Sequence, residues 1–190
     1  MRPVITTAVA AAFLAGTAGA NEFEPAIQAY FDPELSAPSS APVVVSAIRA
    51  QNGKTASCAQ AQIDELDRIW RAEVVMAGPA MIRSDPDNPA AGCPSAKLEE
   101  AGGAIAGIFV MDARGLNVAA SSVTSDYWQG DEEKFTESFP KGAGALHISE
   151  IEFDESSQTF QSRVSFTVFD PAAQEPLGAV TVGFNADAPN

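Results

Sequence analysis

The chain has 190 residues, 46 % of them hydrophobic, with 11 basic and 25 acidic residues and a formal net charge of −14. An acidic surface of this kind repels phosphate backbones and anionic lipid headgroups, which argues against nucleic acid and membrane surfaces as partners. The length fits one domain with a hydrophobic core better than two small ones.

Residues 1–20 have the pattern of a secretory signal peptide. Arg2 precedes an uncharged run of small and apolar residues that ends in Ala18, Gly19 and Ala20, which is typical of a cleavage site. The glycines, threonines and short apolar core argue against a retained span, and no later segment has the roughly 18 continuous apolar residues that spanning requires. We therefore expect an exported, periplasmic protein that does not insert into the membrane.

The next predicted elements are two helices. A short helix over residues 43–52 follows Pro42 and ends near Gly53. A longer amphipathic helix over residues 57–76 is indicated by apolar residues at spacings of three and four, including Ile63, Leu66 and Trp70. Such a helix needs an apolar sheet face to cover, so Trp70 is expected to be a core residue rather than a site residue.

The two cysteines of the chain, Cys58 and Cys93, favour a disulfide because an exported protein meets oxidising conditions. The alternative is two buried free thiols. No Cys-x-x-Cys motif is present, and residues 84–89, which begin like a calcium loop, lack its later glycine and glutamate. We expect no metal and no cofactor.

From residue 105 onward the pattern changes to strands. Strands are predicted over 105–112 and 117–122, joined by a turn, and after a helical insertion that ends near residue 139 three more follow over 145–153, 159–169 and 177–184. The fourth strand alternates strictly, so one of its faces is apolar and the other polar. The fold class is α+β, with a helical segment (21–103) that packs on a sheet (104–190) in one folded domain.

A family resemblance rests on this element order and on three stretches: VMDARG at 110–115, SDYWQGD at 125–131 and LGAVTVG at 177–183. Together they resemble an extracytoplasmic PAS-like (PDC) sensor domain of the single Cache type, over roughly residues 40–185. The resemblance implies a five-stranded antiparallel sheet with a long N-terminal helix on one face. Most members pass ligand occupancy through a following membrane helix; none follows before Asn190, so a stand-alone exported form is expected, with a membrane-bound receptor or kinase as partner.

The resemblance also implies a ligand site between the sheet and the inserted segment. Arg163 falls on a ligand-binding arginine and Thr181 on a hydroxyl that contacts the ligand carboxylate, whereas Ser165 stands where carboxylate-sensing members carry a lysine. One guanidinium can hold one carboxylate in a bidentate pair, and the alternative for Arg163 is an exposed strand residue paired with one of the many acidic side chains. The expected ligand is therefore a small carboxylate or amino-acid-like metabolite.

The inserted segment, which includes Asp126, Tyr127 and Trp128, is implied to close over that site. Either Tyr127 or Trp128 would stack on the ligand while the other anchors the segment. For Trp128 the alternative is a packed stripe with Phe135 and Phe139. His147 either points into the same pocket or is a structural hydrogen-bonding residue.

An enzymatic function is not expected. The chain has one histidine and no Gly-x-Ser-x-Gly motif, and the acidic pair Asp131 and Glu132 stands where a helix N-terminus favours acids. Two hypotheses remain: a small-molecule-binding sensor module, and a protein–protein interaction module that keeps the fold without a pocket. A cavity lined by Arg163, Ser165 and Thr181 under Tyr127 favours the first, and an open polar face favours the second.

Overall fold

A computed structural model describes residues 40–76, 92–154, 157–170, 172–173 and 175–186, so residues 1–20 and 84–89 lie outside the described residues. The fold is α+β. The helices are α1 (Pro42–Thr55), α2 (Gln60–Val74), α3 (Gly92–Glu100) and α4 (Glu133–Thr136), with a 3-10 turn at Phe139–Lys141. The strands are β1 (Ile105–Asp112), β2 (Asn117–Ala120), β3 (Leu146–Ile148), β4 (Glu152–Asp154), β5 (Thr159–Phe169) and β6 (Pro176–Asn185). No helix in these ranges is long and apolar enough to cross a bilayer.

The strands form one antiparallel sheet in the order β2-β1-β6-β5-β3, and β4 also pairs with β5. The single strand predicted over 145–153 is wrong: it is two strands, which makes six in the described sheet. Ser149 causes the break, because its hydroxyl accepts the backbone N–H of Arg163 at 2.9 Å in place of a main-chain carbonyl. Residues 149–151 oppose only two residues of β5, so the extra residue forms a bulge.

The apolar face of the sheet holds the main core. Val164 and Phe166 of β5 alternate with polar neighbours and pack beside Val180 and Val182 of β6. The prediction that the Trp70 helix covers this face is wrong, since the buried helix residues of this core, Val44, Val45 and Ile48, belong to α1. Each of these side chains contributes about 1.5–3 kcal/mol by burial.

A buried carboxylate joins α1 to the turn between β1 and β2. Asp112 is fully buried and accepts four hydrogen bonds, from the backbone N–H groups of Arg114 and Leu116 at 2.8 and 2.9 Å and from Thr55 Oγ1 and Gln51 Nε2 of α1 at 2.8 and 3.2 Å. Because every contact comes from a donor, the buried oxygens are satisfied. The C-terminal end of α1 is therefore fixed at this end of the sheet.

Trp70 of α2 is half-buried rather than part of the sheet core. Its ring stacks on Tyr127 with centroids 5.2 Å apart, and its Nε1 donates to the carbonyl of Thr124 at 2.9 Å. The apolar stripe of α2 predicted from the sequence is therefore used in part to hold the segment that follows β2.

Cys58 and Cys93 do not form the predicted disulfide, and both are unbonded, half-buried thiols. Cys58 Sγ lies 3.8 Å from the carbonyl oxygen of Lys54 at the end of α1. Cys93, in α3, packs against the margin of the main core. The two thiols thus have different surroundings.

Candidate functional site

The second face of the sheet is polar, as the alternation of β5 predicts, and its side chains form three rows across the strands. Strand pairing sets these rows, because residues directly opposite each other in an antiparallel pair share a face. The rows are Gly107–Gly183–Arg163, then Phe109–Thr181–Ser165–His147, then Met111–Ala179–Thr167.

The second and third rows are covered. Phe135 of α4 packs on Met111 and Ala179, and Phe139 stacks on Phe135 with ring centroids 5.3 Å apart. Beneath this cover Ser165 and Thr181 are both 0 % exposed, and their hydroxyls share a hydrogen bond of 2.9 Å. This half of the polar face is filled by protein side chains.

The first row opens into a cavity of about 300 Å³. Its floor is the backbone at Gly107 and Gly183, and its walls come from Phe109, Thr124, Asp154 and Arg163. The volume is at the lower end of the range for small-molecule sites, which suits a metabolite of a few heavy atoms. Ser165 and Thr181 lie one row further along and do not line this cavity.

Arg163 brings a positive charge to the cavity wall, and its side chain is 22 % exposed. Its guanidinium forms ion pairs with Asp154 Oδ2 at 2.6 Å and Glu152 Oε2 at 3.4 Å. Asp154 also accepts the backbone N–H of Ser157 at 2.9 Å. The cavity therefore presents a cation and an anion side by side, each able to form charge-assisted hydrogen bonds.

The absence of a side chain at Gly183 leaves room for the buried side-chain amide of Gln161. A Cβ at this position would meet Gln161 Oε1 at 2.2 Å, whereas a Cβ at Gly107 would meet only Ser121 Oγ, at 3.9 Å. Gln161 is buried and donates to Thr159 Oγ1 at 3.1 Å. The open space of the first row therefore lies above Gly107, whereas the Gln161 amide fills the space above Gly183.

A clamp from α2 holds the segment that forms one cavity wall. Asp67 Oδ1 accepts the backbone N–H groups of Tyr127 and Trp128 at 2.8 and 3.0 Å, and Arg71 pairs with Asp67 at 2.6 Å and with Asp126 at 3.2 Å. Burial raises the pKa of Asp67, but the hydrogen bonds from Arg71, Trp128 and Tyr127 outweigh it and lower that pKa below its usual value. Asp67 is therefore held as a carboxylate.

The two aromatic residues of the inserted segment, Tyr127 and Trp128, make different contacts. Trp128 Nε1 donates to the carbonyl of Arg114 at 2.8 Å, and Leu116 and Trp128 form an isolated β-bridge, so Trp128 anchors the segment to the first hairpin. Tyr127 stacks on Trp70. The alternative in which Trp128 packs in one stripe with Phe135 and Phe139 is not observed. The two phenylalanines stack on each other and belong to the cover of the second and third rows.

His147 and Asp126 complete the set of predicted site residues. His147 is half-buried and lies opposite Ser165 in the second row. Asp126 pairs with Arg71 and accepts from the side-chain amide of Gln129. Of the seven residues, Arg163 lines the cavity, and Asp126, Tyr127 and Trp128 belong to the segment directly after its wall residue Thr124.

Several cavity residues escaped the sequence analysis. Asp154 falls between two predicted strands, Thr124 precedes the SDYWQGD stretch, and Gly107 lies within an apolar strand. A usable signal was the glycine in each neighbouring strand, but only the register of β1 on β6 shows that Gly107 and Gly183 lie side by side. That register pairs residues far apart in the chain, so the local sequence pattern does not reveal it.

Three solved structures to which the chain is similar are sensor domains. The ligand-binding domain of the Campylobacter jejuni chemoreceptor Tlp3, in complex with 4-methylisoleucine, is 9 % identical with a TM-score of 0.42, over 77 % of this chain and 62 % of that one. The sensor domain of the V. cholerae histidine kinase DctB is 15 % identical with a TM-score of 0.43, over 76 % and 57 %. The ligand-binding domain of the Pseudomonas aeruginosa amino acid chemoreceptor PctC, in complex with GABA, is 12 % identical with a TM-score of 0.36, over 74 % and 57 %.

This chain spans about three fifths of the length of these sensor domains. No family model and no curated protein sequence matches it. At these identities and TM-scores, a function has to be derived from the chain's own residues.

Proposed function

We propose that the protein binds a small metabolite carrying a carboxylate in the cavity above Gly107, with Arg163 as the main contact. The observation that carries this proposal is the cavity of about 300 Å³ with a largely buried guanidinium in its wall. A guanidinium is the side chain best suited to a bidentate pair with a carboxylate.

The neighbours of Arg163 favour a zwitterion over a plain acid. Asp154 and Glu152 already neutralise the guanidinium, so a ligand with only a carboxylate would add a third negative charge beside one positive charge. A ligand that also carries an ammonium group supplies a partner for Asp154. Amino-acid-like metabolites meet both requirements.

The remaining predicted residues take supporting roles in this proposal. Asp126, Tyr127 and Trp128 hold the segment that walls the cavity, through Arg71, Trp70 and Arg114. Ser165, Thr181 and His147 support the neighbouring row of the sheet. We infer that the ligand contacts these residues less than Arg163.

The setting of the activity is also part of the proposal. The signal-peptide pattern of residues 1–20 supports export to the periplasm, and the acidic composition supports a protein that avoids nucleic acid and anionic membranes. There the protein would act as a non-enzymatic sensor module that reports ligand occupancy to a membrane-bound receptor or kinase.

The test is a thermal-shift screen of amino acids, monocarboxylates and dicarboxylates, followed by calorimetry with the best compound. A ligand at 100 times its dissociation constant stabilises the fold by about 2.7 kcal/mol, so binding is readily seen. Arg163→Ala should weaken binding about a hundredfold. Arg68→Ala is the matched control. Arg68 is exposed on α2 and pairs with Glu65, three residues earlier in the same helix.

A second variant separates the zwitterion from the plain acid. Asp154→Asn should weaken the binding of the amino acid more than it weakens the binding of the same compound without its amino group. No hit in the screen, or an unchanged affinity in Arg163→Ala, would contradict the proposal.

A further inference from the structure

Phe109 of β1 separates the cavity from the filled part of the polar face. It is half-buried, it lines the cavity, and it also packs against the cluster that contains Met111 and Phe135. The next residues in its own row, Thr181 and Ser165, have small side chains and are fully buried. The ring of Phe109 is therefore the bulky group that ends the cavity on this side.

Lys134 of α4 holds that ring in place. Its Nζ lies 5.0 Å from the centroid of the Phe109 ring, which is within the range of a cation–π contact. The ammonium group also pairs with Glu132 Oε2 at 2.8 Å, and the lysine side chain is 14 % exposed. Lys134 does not line the cavity, and α4 covers the filled rows. The ring is therefore fixed from the filled side.

The two sides of the cavity differ in polarity. Asp154 and Arg163 come from β4 and β5, whereas Phe109 comes from β1 and Val123 from the segment after β2. Because β6 lies between β1 and β5, the backbones at Phe109 and Arg163 are at least about 10 Å apart. An amino acid whose charged groups contact Arg163 and Asp154 therefore directs its side chain toward Phe109.

We propose that Phe109 limits the length of the ligand side chain that the cavity accepts, and that Lys134 is the residue that positions the ring. The proposal rests on the proposed binding of a small metabolite in this cavity and adds selection by length to it. A side chain that reaches the ring gains apolar contact. A longer one must push the ring away from Lys134 and Phe135, and displacing packed groups is unfavourable.

The probes are the straight-chain amino acids alanine, α-aminobutyrate, norvaline and norleucine, titrated by calorimetry into the chain that begins at Asn21. The quantity compared is the ratio of the norleucine affinity to the alanine affinity, because a loss of affinity common to both compounds cancels in it. Phe109→Ala should raise this ratio at least about tenfold, which is the discrimination that an apolar pocket commonly makes over a methylene group.

A second variant and a matched control keep this test independent of stability. Phe109→Val retains a β-branched residue suited to a strand and should raise the ratio in the same direction. Phe139→Ala is the control, because Phe139 stacks on Phe135 in the same cover but does not line the cavity. It should lower the unfolding temperature in a thermal melt and leave the ratio at its native value.

Two changes at Lys134 test its positioning role. Lys134→Met removes the charge but keeps a chain of similar length, so it should raise the ratio by less than Phe109→Ala does. Lys134→Arg retains a cation that can lie over the ring and should keep the native ratio. A native ratio in Lys134→Met would contradict the role of the lysine.

The outcomes distinguish the length limit from the binding itself. If alanine binds and both Phe109→Ala and Phe109→Val leave the ratio unchanged, the length limit is wrong while the proposed function stands. If none of these amino acids binds the native protein or the variants, the proposed binding of amino-acid-like metabolites is wrong, and the length limit is wrong with it.

Discussion

The polar face of the sheet is filled at one end and hollow at the other, although the same three strands build both ends. In the filled half Ser165 and Thr181 bond to each other beneath Phe135. In the hollow half Gly107 leaves bare backbone, the Gln161 amide lies over Gly183, and Arg163 stands in the wall. Side-chain volume, not backbone geometry, accounts for the difference.

The two halves also differ in what covers them. α4 and the turn after it press an aromatic pair onto the filled half. The hollow half is walled by the segment around Thr124, which α2 holds through Asp67 and Trp70. One half is therefore suited to stability and the other to binding, and changes in each should separate these properties.

The largest effect is expected in the filled half. Phe135→Ala should lower the free energy of unfolding by about 3–5 kcal/mol, because it leaves a cavity against Met111 and Ala179. Urea unfolding followed by circular dichroism measures the change. A loss well under 1 kcal/mol would mean that this half is not packed as described.

The buried hydroxyl pair gives the next largest effect. Thr181→Val should cost about 1–3 kcal/mol, since it leaves the Ser165 hydroxyl buried without its partner. Ser165→Ala combined with Thr181→Val should recover much of that loss, because both polar groups are then gone. A double-mutant cycle measures the coupling, and additive losses would show that the pair does not act as a unit.

The clamp on the cavity wall should show a smaller effect that depends on pH. Asp67→Ala should cost about 1–2 kcal/mol at pH 7, because the N–H groups of Tyr127 and Trp128 lose their acceptor at a half-buried site. The pKa of Asp67 is lowered in the folded protein, so its contribution is complete above the unfolded value of about 3.9 and is lost as the pH falls through the lowered pKa.

Urea unfolding at several pH values checks this prediction. The gap between the native protein and Asp67→Ala should narrow below about pH 4. Asp64→Ala on the same helix is the control, since Asp64 is exposed and bonds to Gln60 in the adjacent turn. A gap that stays constant down to low pH would contradict the clamp.

The smallest effect on stability is expected at the floor of the hollow half. Gly107→Ala should change the free energy of unfolding by less than about 1 kcal/mol, because the new methyl group meets only Ser121 Oγ at 3.9 Å. Gly183→Ala should cost more, since Gln161 must move. Thermal melts compare the two; a Gly107→Ala variant as unstable as Gly183→Ala would mean that the space above Gly107 is not empty.

Much of this face was predictable from the sequence. The side-chain period of a strand is two, so alternation over 159–169 is enough to place Arg163 and Ser165 together and Val164 on the other face. The position of Arg163 in a cavity wall was a prediction of the family resemblance. It needed no knowledge of the register.

Other features were not predictable because they depend on contacts between distant residues. The break at Ser149 arises from a hydroxyl that bonds to Arg163 on another strand. The helix α1 rather than α2 covers the core because Val44, Val45 and Ile48 pack on the sheet, and this long-range packing cannot be read from the periodicity of either helix. The disulfide was wrong for the same reason, since cysteine count and export say nothing about the distance between two thiols.

The most direct test of the central claim is a calorimetric titration of Gly107→Leu with the best compound from the screen of amino acids and carboxylates. The leucine side chain would occupy the cavity without changing its charges. We expect binding at least about a hundredfold weaker than in the native protein, with an unfolding temperature that is essentially unchanged. Native affinity in the Gly107→Leu variant would contradict it.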